Sequence, residues 1–173
     1  MQKKPLEIEL YPSPLLRKKC RKVENIDSQT RQILDDMLML MRKHRGVGLA
    51  ANQAGLNLSL IVMEADDKIY KLINPKITKK NGKTKFNEGC LSFPGLELYV
   101  PRAEEVWLSY TDEEGKDLEV KIDGVLAIIL QHEIDHINGV MFIDRISFLK
   151  RLKIGKKLRK IKRLYKQRLK TKT

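Results

Sequence analysis

His132-Glu133-Ile134-Asp135-His136 closes the last apolar run of the chain before a basic tail. On a helix, residues four apart project from one face, so both imidazoles can address one metal ion. Glu133 then stands beside that ion, where a carboxylate can take a proton from bound water. Two neutral nitrogens as ligands and an adjacent base are what metal-assisted hydrolysis asks for. The preceding run, Val125 to Leu130, is apolar all round, which predicts a buried central helix over residues 124–138. Gly139 follows as its breaker.

Outward from this helix, Glu104 to Thr111 alternates as a strand, Asp112-Glu113-Glu114-Gly115 turns, and Asp117 to Ile122 returns as its hairpin partner. Further upstream, Leu58 to Met63 reads as a strand that Lys71 to Ile77 can pair with. A helix is expected from Ser28 to His44, capped by Asp27 or Ser28, with Ile33, Met37, Leu40 and Met41 on its inner face. His44 sits at its carboxyl end, where a solvated cation is favourable. Two loops remain: Gly46 to Gly55, rich in small residues, and Glu88-Gly89-Cys90-Leu91-Ser92-Phe93-Pro94-Gly95.

Two histidines do not complete a metal site. A downstream glutamate is excluded as third ligand, because Glu133 is the last glutamate in the chain. A third histidine after Gly139 is excluded too, since Phe142 occupies that position. Asp144 reads as a capping or salt-bridging residue. Cys90 remains: a thiolate suits iron or zinc, Gly89 permits close backbone approach, and Glu88 can orient a neighbour. The alternative for a free cysteine is a buried inert thiol. Cys20, in Lys18-Lys19-Cys20-Arg21, has no such setting and reads as structural.

Three segments in this order resemble the peptide deformylase family: Gly46-Val47-Gly48-Leu49-Ala50-Ala51-Asn52-Gln53, Glu88 to Ser92, and Gln131 to His136. The similarity covers most of residues 5 to 150, including Pro101-Arg102-Ala103 and the stretch from Gly139 to Asp144. A bare His-Glu-x-x-His occurs by chance; three motifs in order are specific. The resemblance implies a hydrolase that removes the N-formyl group from the initiator methionine of nascent polypeptides, releasing formate. It implies Cys90, His132 and His136 as metal ligands and Glu133 as base, then acid. Gln53 and the Leu91 backbone N–H would hold the developing oxyanion, and Val47 and Gly48 would line the substrate backbone. Fe(II), one per chain, is the implied cofactor, with zinc, nickel or cobalt as substitutes; ligand chemistry alone points to zinc.

Other assignments keep two readings. Gln53 is an oxyanion partner or an exposed loop glutamine. Val125, Ile128 and Ile129 line a methionine pocket or belong to the core, and Arg102 contacts the peptide or sits on the surface. Asn52, where Thr or Pro is more usual, and Phe93, where relatives carry a smaller aliphatic, depart from the family pattern and bear on the rim of the cleft. The competing activity is that of a metallopeptidase or amidase acting on non-formyl amide bonds; a nucleic-acid-binding module with a degenerate metal site belongs to another class.

The fold class expected is α+β, with mixed or antiparallel sheets packed around a central metal-binding helix, plus a C-terminal helix. A catalytic domain over residues 1–148 and a basic helical extension over 149–173 are the expected units. The net charge of +13 resides in that extension: from Ser147 onward there are 13 Lys and Arg and no acid, leaving 22 basic and 22 acidic residues before it. Leu158, Ile161, Tyr165 and Leu169 form an apolar stripe along it, and Gly155 loosens its start. Such a run binds polyanions; the resemblance implies docking on the ribosome through residues 149–170. The other reading is a solvated amphipathic helix whose stripe packs on the body. No stretch approaches about 18 uninterrupted apolar residues, and Met1 to Glu9 lacks a secretory signal's apolar core. A cytoplasmic, monomeric enzyme with free thiols and no membrane contact is the expectation.

Overall fold

The computed structural model describes residues 5–171. Asp27 caps helix α1 (Ser28–Lys43) by accepting from the Thr30 amide at 2.8 Å. Arg42 and Lys43 end it, with His44 as C-cap, so cations sit where the helix dipole favours them. Its Leu34, Met37 and Met41 are fully buried, packed with Leu49, Leu60 and Val62 of the sheet.

The strands are β1 (Gly48–Ala50), β2 (Leu60–Ala65), β3 (Lys68–Asn81), β4 (Thr84–Gly89), β5 (Glu97–Arg102), β6 (Glu105–Thr111) and β7 (Asp117–Asp123). They form a five-stranded sheet in the order β1-β2-β3-β6-β7 and a separate β4-β5 hairpin, every pair antiparallel. The expected β6–β7 hairpin is present, with Asp112 accepting from the Glu114 and Lys116 amides and Gly115 at φ +86°. Helix α2 (Gly124–Ile137) carries the His-Glu-x-x-His motif and buries Ala127, Leu130, Ile134 and Ile137 against Val106, Leu108 and Ile122. It ends at Gly139, whose φ of +74° and contact with the Arg17 carbonyl leave no room for a side chain. The fold is α+β, as the pattern of elements predicts.

Three differences have physical causes. First, α2 is not buried all round: Val125, two turns before His132, is 53% exposed where the helix emerges from the sheet. Second, Gly46 to Gly55 is not simply a loop. It holds β1 and a 3-10 turn at Ala51–Ala54, and Leu49 through Ala54 are all buried. Third, the β4–β5 hairpin was not anticipated around the Cys90 loop, because Thr84-Lys85-Phe86-Asn87-Glu88-Gly89 lacks apolar alternation. Main-chain pairing with β5 and the buried ion pairs of Glu88 hold it instead.

The basic extension is two helices, α3 (Phe148–Lys153) and α4 (Gly155–Thr171), with the break beside Gly155 where a weakening was expected. Residues 172 and 173, like 1–4, lie outside the described residues. The apolar stripe packs on the body. Ile161 is 2% exposed within a cluster of Leu16, Phe93, Met141 and Phe142, Tyr165 meets the α1 cluster, and Arg168 donates to the Ile8 carbonyl at 2.9 Å. Leu169, by contrast, is exposed. Ile161→Ala is therefore expected to destabilise the protein by about 2–4 kcal/mol, whereas Lys160→Ala on the outer face should change stability by less than about 0.5 kcal/mol. Urea unfolding of both variants checks this; equal, negligible effects would show α4 to be loose.

Candidate metal centre

Cys90 follows the last residue of β4, and α2 presents His132 and His136 one turn apart on its buried face. The Cys90 Sγ lies 3.2 Å from His136 Nε2, which lies 3.2 Å from His132 Nε2. All three ligand atoms fall within 4.8 Å of one another, the one such cluster among the described residues. In a tetrahedral site with metal–sulfur and metal–nitrogen bonds of about 2.3 and 2.0 Å, neighbouring ligand atoms stand roughly 3.3–3.6 Å apart. The cluster is close to that size. A soft thiolate with two imidazoles is a donor set for zinc or a late first-row metal.

The chain matches the polypeptide deformylase family model over residues 5–152. It is 42% identical over 166 residues to the peptide deformylase of Wolinella succinogenes, covering 91% of this chain and 98% of that one. It is 43% identical over 158 residues to the enzyme of Chromobacterium violaceum, covering 90% and 95%. Among solved structures, a Legionella pneumophila peptide deformylase superposes with a TM-score of 0.85 at 42% identity, covering 92% of this chain and 96% of that one. The chain belongs to the peptide deformylase family. Members are metal-dependent hydrolases that remove the formyl group from nascent polypeptides, and the Cys90–His132–His136 cluster could hold a metal ion of the kind such an activity requires.

Behind the ligands lies a chain of buried charges. Arg102 donates in parallel from Nε and Nη2 to Glu88 at 2.7 and 2.9 Å and from Nη1 to Asp135 at 2.5 Å. Glu88 Oε2 stands 2.8 Å from His132 Nδ1, and Arg145 holds Asp135 from the other side at 2.5 and 3.0 Å. Burial alone would raise both carboxyls; the guanidinium and imidazole contacts outweigh it and hold Glu88 and Asp135 below the usual range. His132 is subject to the same burial, which by itself lowers an imidazole, but Cys90 and Glu88 raise it well above its ordinary value. No carboxylate is hydrogen-bonded to the His136 ring among the described residues, and burial together with the charge of His132 pushes it well down.

Glu133 stands on the cleft side of α2. Burial pushes its carboxyl up to about 7, with His132 opposing. A Cβ added to Gly48 would come 2.5 Å from Glu133 Oε1, so glycine is what lets β1 lie flat against that carboxylate. Gln53 is 1% exposed, which sets aside an exposed loop residue. Its Oε1 accepts from the Ala50 amide at 2.9 Å, turning Nε2 toward Cys90 Sγ and Ser92 Oγ, each 3.4 Å away. A cleft of about 510 Å³ opens over the cluster, lined by Val47, Gly48, Gln53, Leu91 and Glu133 as well as by Cys90 and His132.

Other candidate residues fall elsewhere. Arg102 is neither at the surface nor in the cleft: its side chain is 3% exposed, and all three of its nitrogens donate to Glu88 or Asp135. Ile128 is buried and Ile129 half-buried one turn before His132 and Glu133, and neither lines the cleft. Phe93 and Asn52 are not rim residues but fully buried; Phe93 stacks on Tyr11 and meets Phe142, which edges His132. Burial raises the Cys20 thiol to about 11, an inert group. His44, Arg45 and Pro94 line the cleft without having been expected there; only their adjacency to the first two motifs could have indicated it. Arg102→Ala leaves Glu88 buried without a guanidinium and Asp135 with Arg145 alone, so a loss of about 3–5 kcal/mol is expected, with weaker zinc retention in chelator competition. A change of less than about 1 kcal/mol would mean the carboxylates find other partners.

Proposed function

We propose that this chain deformylates N-formyl-methionyl nascent peptides with Cys90, His132 and His136 holding Fe(II), one ion per chain, and Glu133 acting as base and then acid. The observation that carries the reading is the convergence of one sulfur and two Nε2 atoms beside a cleft lined by Cys90, His132, Glu133 and Gln53. A divalent ion in that set supplies hydroxide near neutral pH and polarises a carbonyl oxygen. Zinc, nickel and cobalt suit the same donors.

The remaining roles follow from the walls of the cleft. Glu133 takes the proton of the attacking water and returns it to the departing amine, a transfer suited to a carboxyl shielded from bulk solvent. Gln53, its amide already oriented by Ala50, offers Nε2 to the developing oxyanion, with the Leu91 backbone N–H as second donor. Val47 and Gly48 run along the peptide backbone at the opposite wall. The methionine side chain lies toward the α2 face that carries Val125, Ile128 and Ile129 one to two turns ahead of His132. Arg102 serves the reaction through Glu88 and Asp135 rather than by touching substrate.

Formate release from formyl-Met-Ala-Ser, with none from acetyl-Met-Ala-Ser, is the expected outcome. Cleavage of internal amide bonds indifferent to formylation would favour the metallopeptidase or amidase reading. Glu133→Gln should lower kcat by about 10²–10⁴-fold while retaining the metal; an unimpaired variant removes Glu133 from the mechanism.

We also propose a cytoplasmic, monomeric enzyme whose tail delivers it to the ribosome. No helix of the described residues is long and apolar enough to cross a membrane. With the apolar stripe of α4 used on the body, its exposed Lys156, Lys157, Lys160 and Arg163 face outward. The catalytic body and the extension are thus one packed unit in the described residues, with the basic face as docking surface. Reversing those four charges to Glu is expected to abolish salt-sensitive cosedimentation with ribosomes while leaving tripeptide turnover intact. Unchanged cosedimentation would remove the proposal.

A further inference from the structure

The body is neutral in sum but not in how its charges are placed. Residues 76–85, running from β3 into β4, hold Lys76, Lys79, Lys80, Lys83 and Lys85 and no acid. Lys80, Lys83 and Lys85 are exposed and stand around a hollow of about 870 Å³ between the β3–β4 turn and the end of β5. Arg102 and Arg145 complete its cations, and no carboxylate lines it. Arg145 remains 42% exposed although it holds Asp135.

Lysines elsewhere on this sheet find partners: Lys71 lies 2.9 and 2.6 Å from Asp35 and Glu113, and Lys121 lies 2.7 Å from Glu105. Among the described residues, Lys80, Lys83 and Lys85 pair with no carboxylate. The acids nearby are engaged: Glu105 also accepts from Asn81 at 3.0 Å, and Glu97 accepts from Asn87 at 2.8 Å. Glu104, against Gly82, sets one charge against three. Like charges gathered round a hollow repel one another and raise the local concentration of anions. The neighbouring hairpin adds an aromatic ring. Lys85 and Asn87 of β4 share a face with their partners Pro101 and Tyr99 of β5, because successive strand residues point to opposite sides. Tyr99 is 64% exposed there. Unpaired lysines beside a ring held in water suit single-stranded nucleic acid, whose phosphates take the ammonium groups and whose bases stack. An acidic peptide would use the lysines and have no need of the ring.

We propose that the hollow between the β3–β4 turn and the end of β5 is a contact surface for single-stranded RNA, in which Lys80, Lys83 and Lys85 hold phosphates and Tyr99 stacks on a base. Arg145, in its wall, stands three residues before α3, so the surface adjoins the basic extension and adds to the contact proposed for α4. It does not depend on the metal centre or on the reaction.

The test uses the full chain and a labelled mixed-sequence RNA of about 16 nucleotides. Changing Lys80, Lys83 and Lys85 together to Ala is expected to weaken binding about 10-fold or more and to lower the slope of log affinity against log salt by about 2, with tripeptide turnover unchanged. Tyr99→Ala is expected to weaken RNA binding about fivefold or more, and Tyr99→Phe, which keeps the stacking face, to restore it. Affinity of the triple variant within about twofold of the parent, at the same salt slope, overturns the proposal. Equal loss of RNA and polyglutamate binding in the triple variant, with Tyr99→Ala without effect on either, overturns it in favour of an acidic protein partner. Crosslinking 4-thiouridine-substituted RNA to the unsubstituted chain gives a second readout. Crosslinks at Tyr99 or within residues 80–85 support the surface, and crosslinks confined to residues 148–171 overturn it.

Discussion

A single guanidinium joins the two pieces of chain that the metal centre needs. Arg102, at the end of β5, grips Glu88, two residues before Cys90, and Asp135, next to His136. Without that grip, a sulfur at the end of a polar hairpin and two nitrogens on a helix over 40 residues later would have no reason to meet. Each of these buried charges alone would be costly by several kcal/mol; together they neutralise one another and fix the geometry of the ligands in front of them. Glu88 closes the circuit by accepting from His132.

The same constraint accounts for the electrostatics of the cleft. The carboxylates behind the ligands stay ionised because cations surround them, whereas Glu133, without a guanidinium of its own, is pushed toward neutrality by burial. Two acids two positions apart on one helix thus shift in opposite directions, Asp135 held ionised behind the ligands and Glu133 pushed toward neutrality at the cleft. Their neighbours, not their identity, separate them.

Much of this was legible in the sequence, and the parts that were not have a common cause. The four-residue spacing of His132 and His136 needs only a helix to acquire meaning, and Cys90 emerged as the strong remaining candidate once a downstream glutamate and a third histidine were excluded. The β6–β7 hairpin announced itself through its turn. Arg102 was misread as a surface or substrate-facing residue because its partners lie 14 and 33 positions away, a separation no local pattern reveals. The polar β4 strand failed for the same reason: its stability comes from β5 and Arg102. Asn52 stood out as a departure from the family pattern, yet its bond to His136 required the folded chain. The tail showed its stripe in sequence but not the aromatic cluster that receives it, through which α4 is joined to Phe142 and so to the ring of His132.

The most direct test of the central claim is X-ray absorption at the metal edge of protein purified without oxygen. One sulfur and two imidazole nitrogens in the metal's coordination shell, with the sulfur lost in Cys90→Ser, is the result expected. A shell of nitrogen and oxygen alone, unchanged by that substitution, would contradict the account.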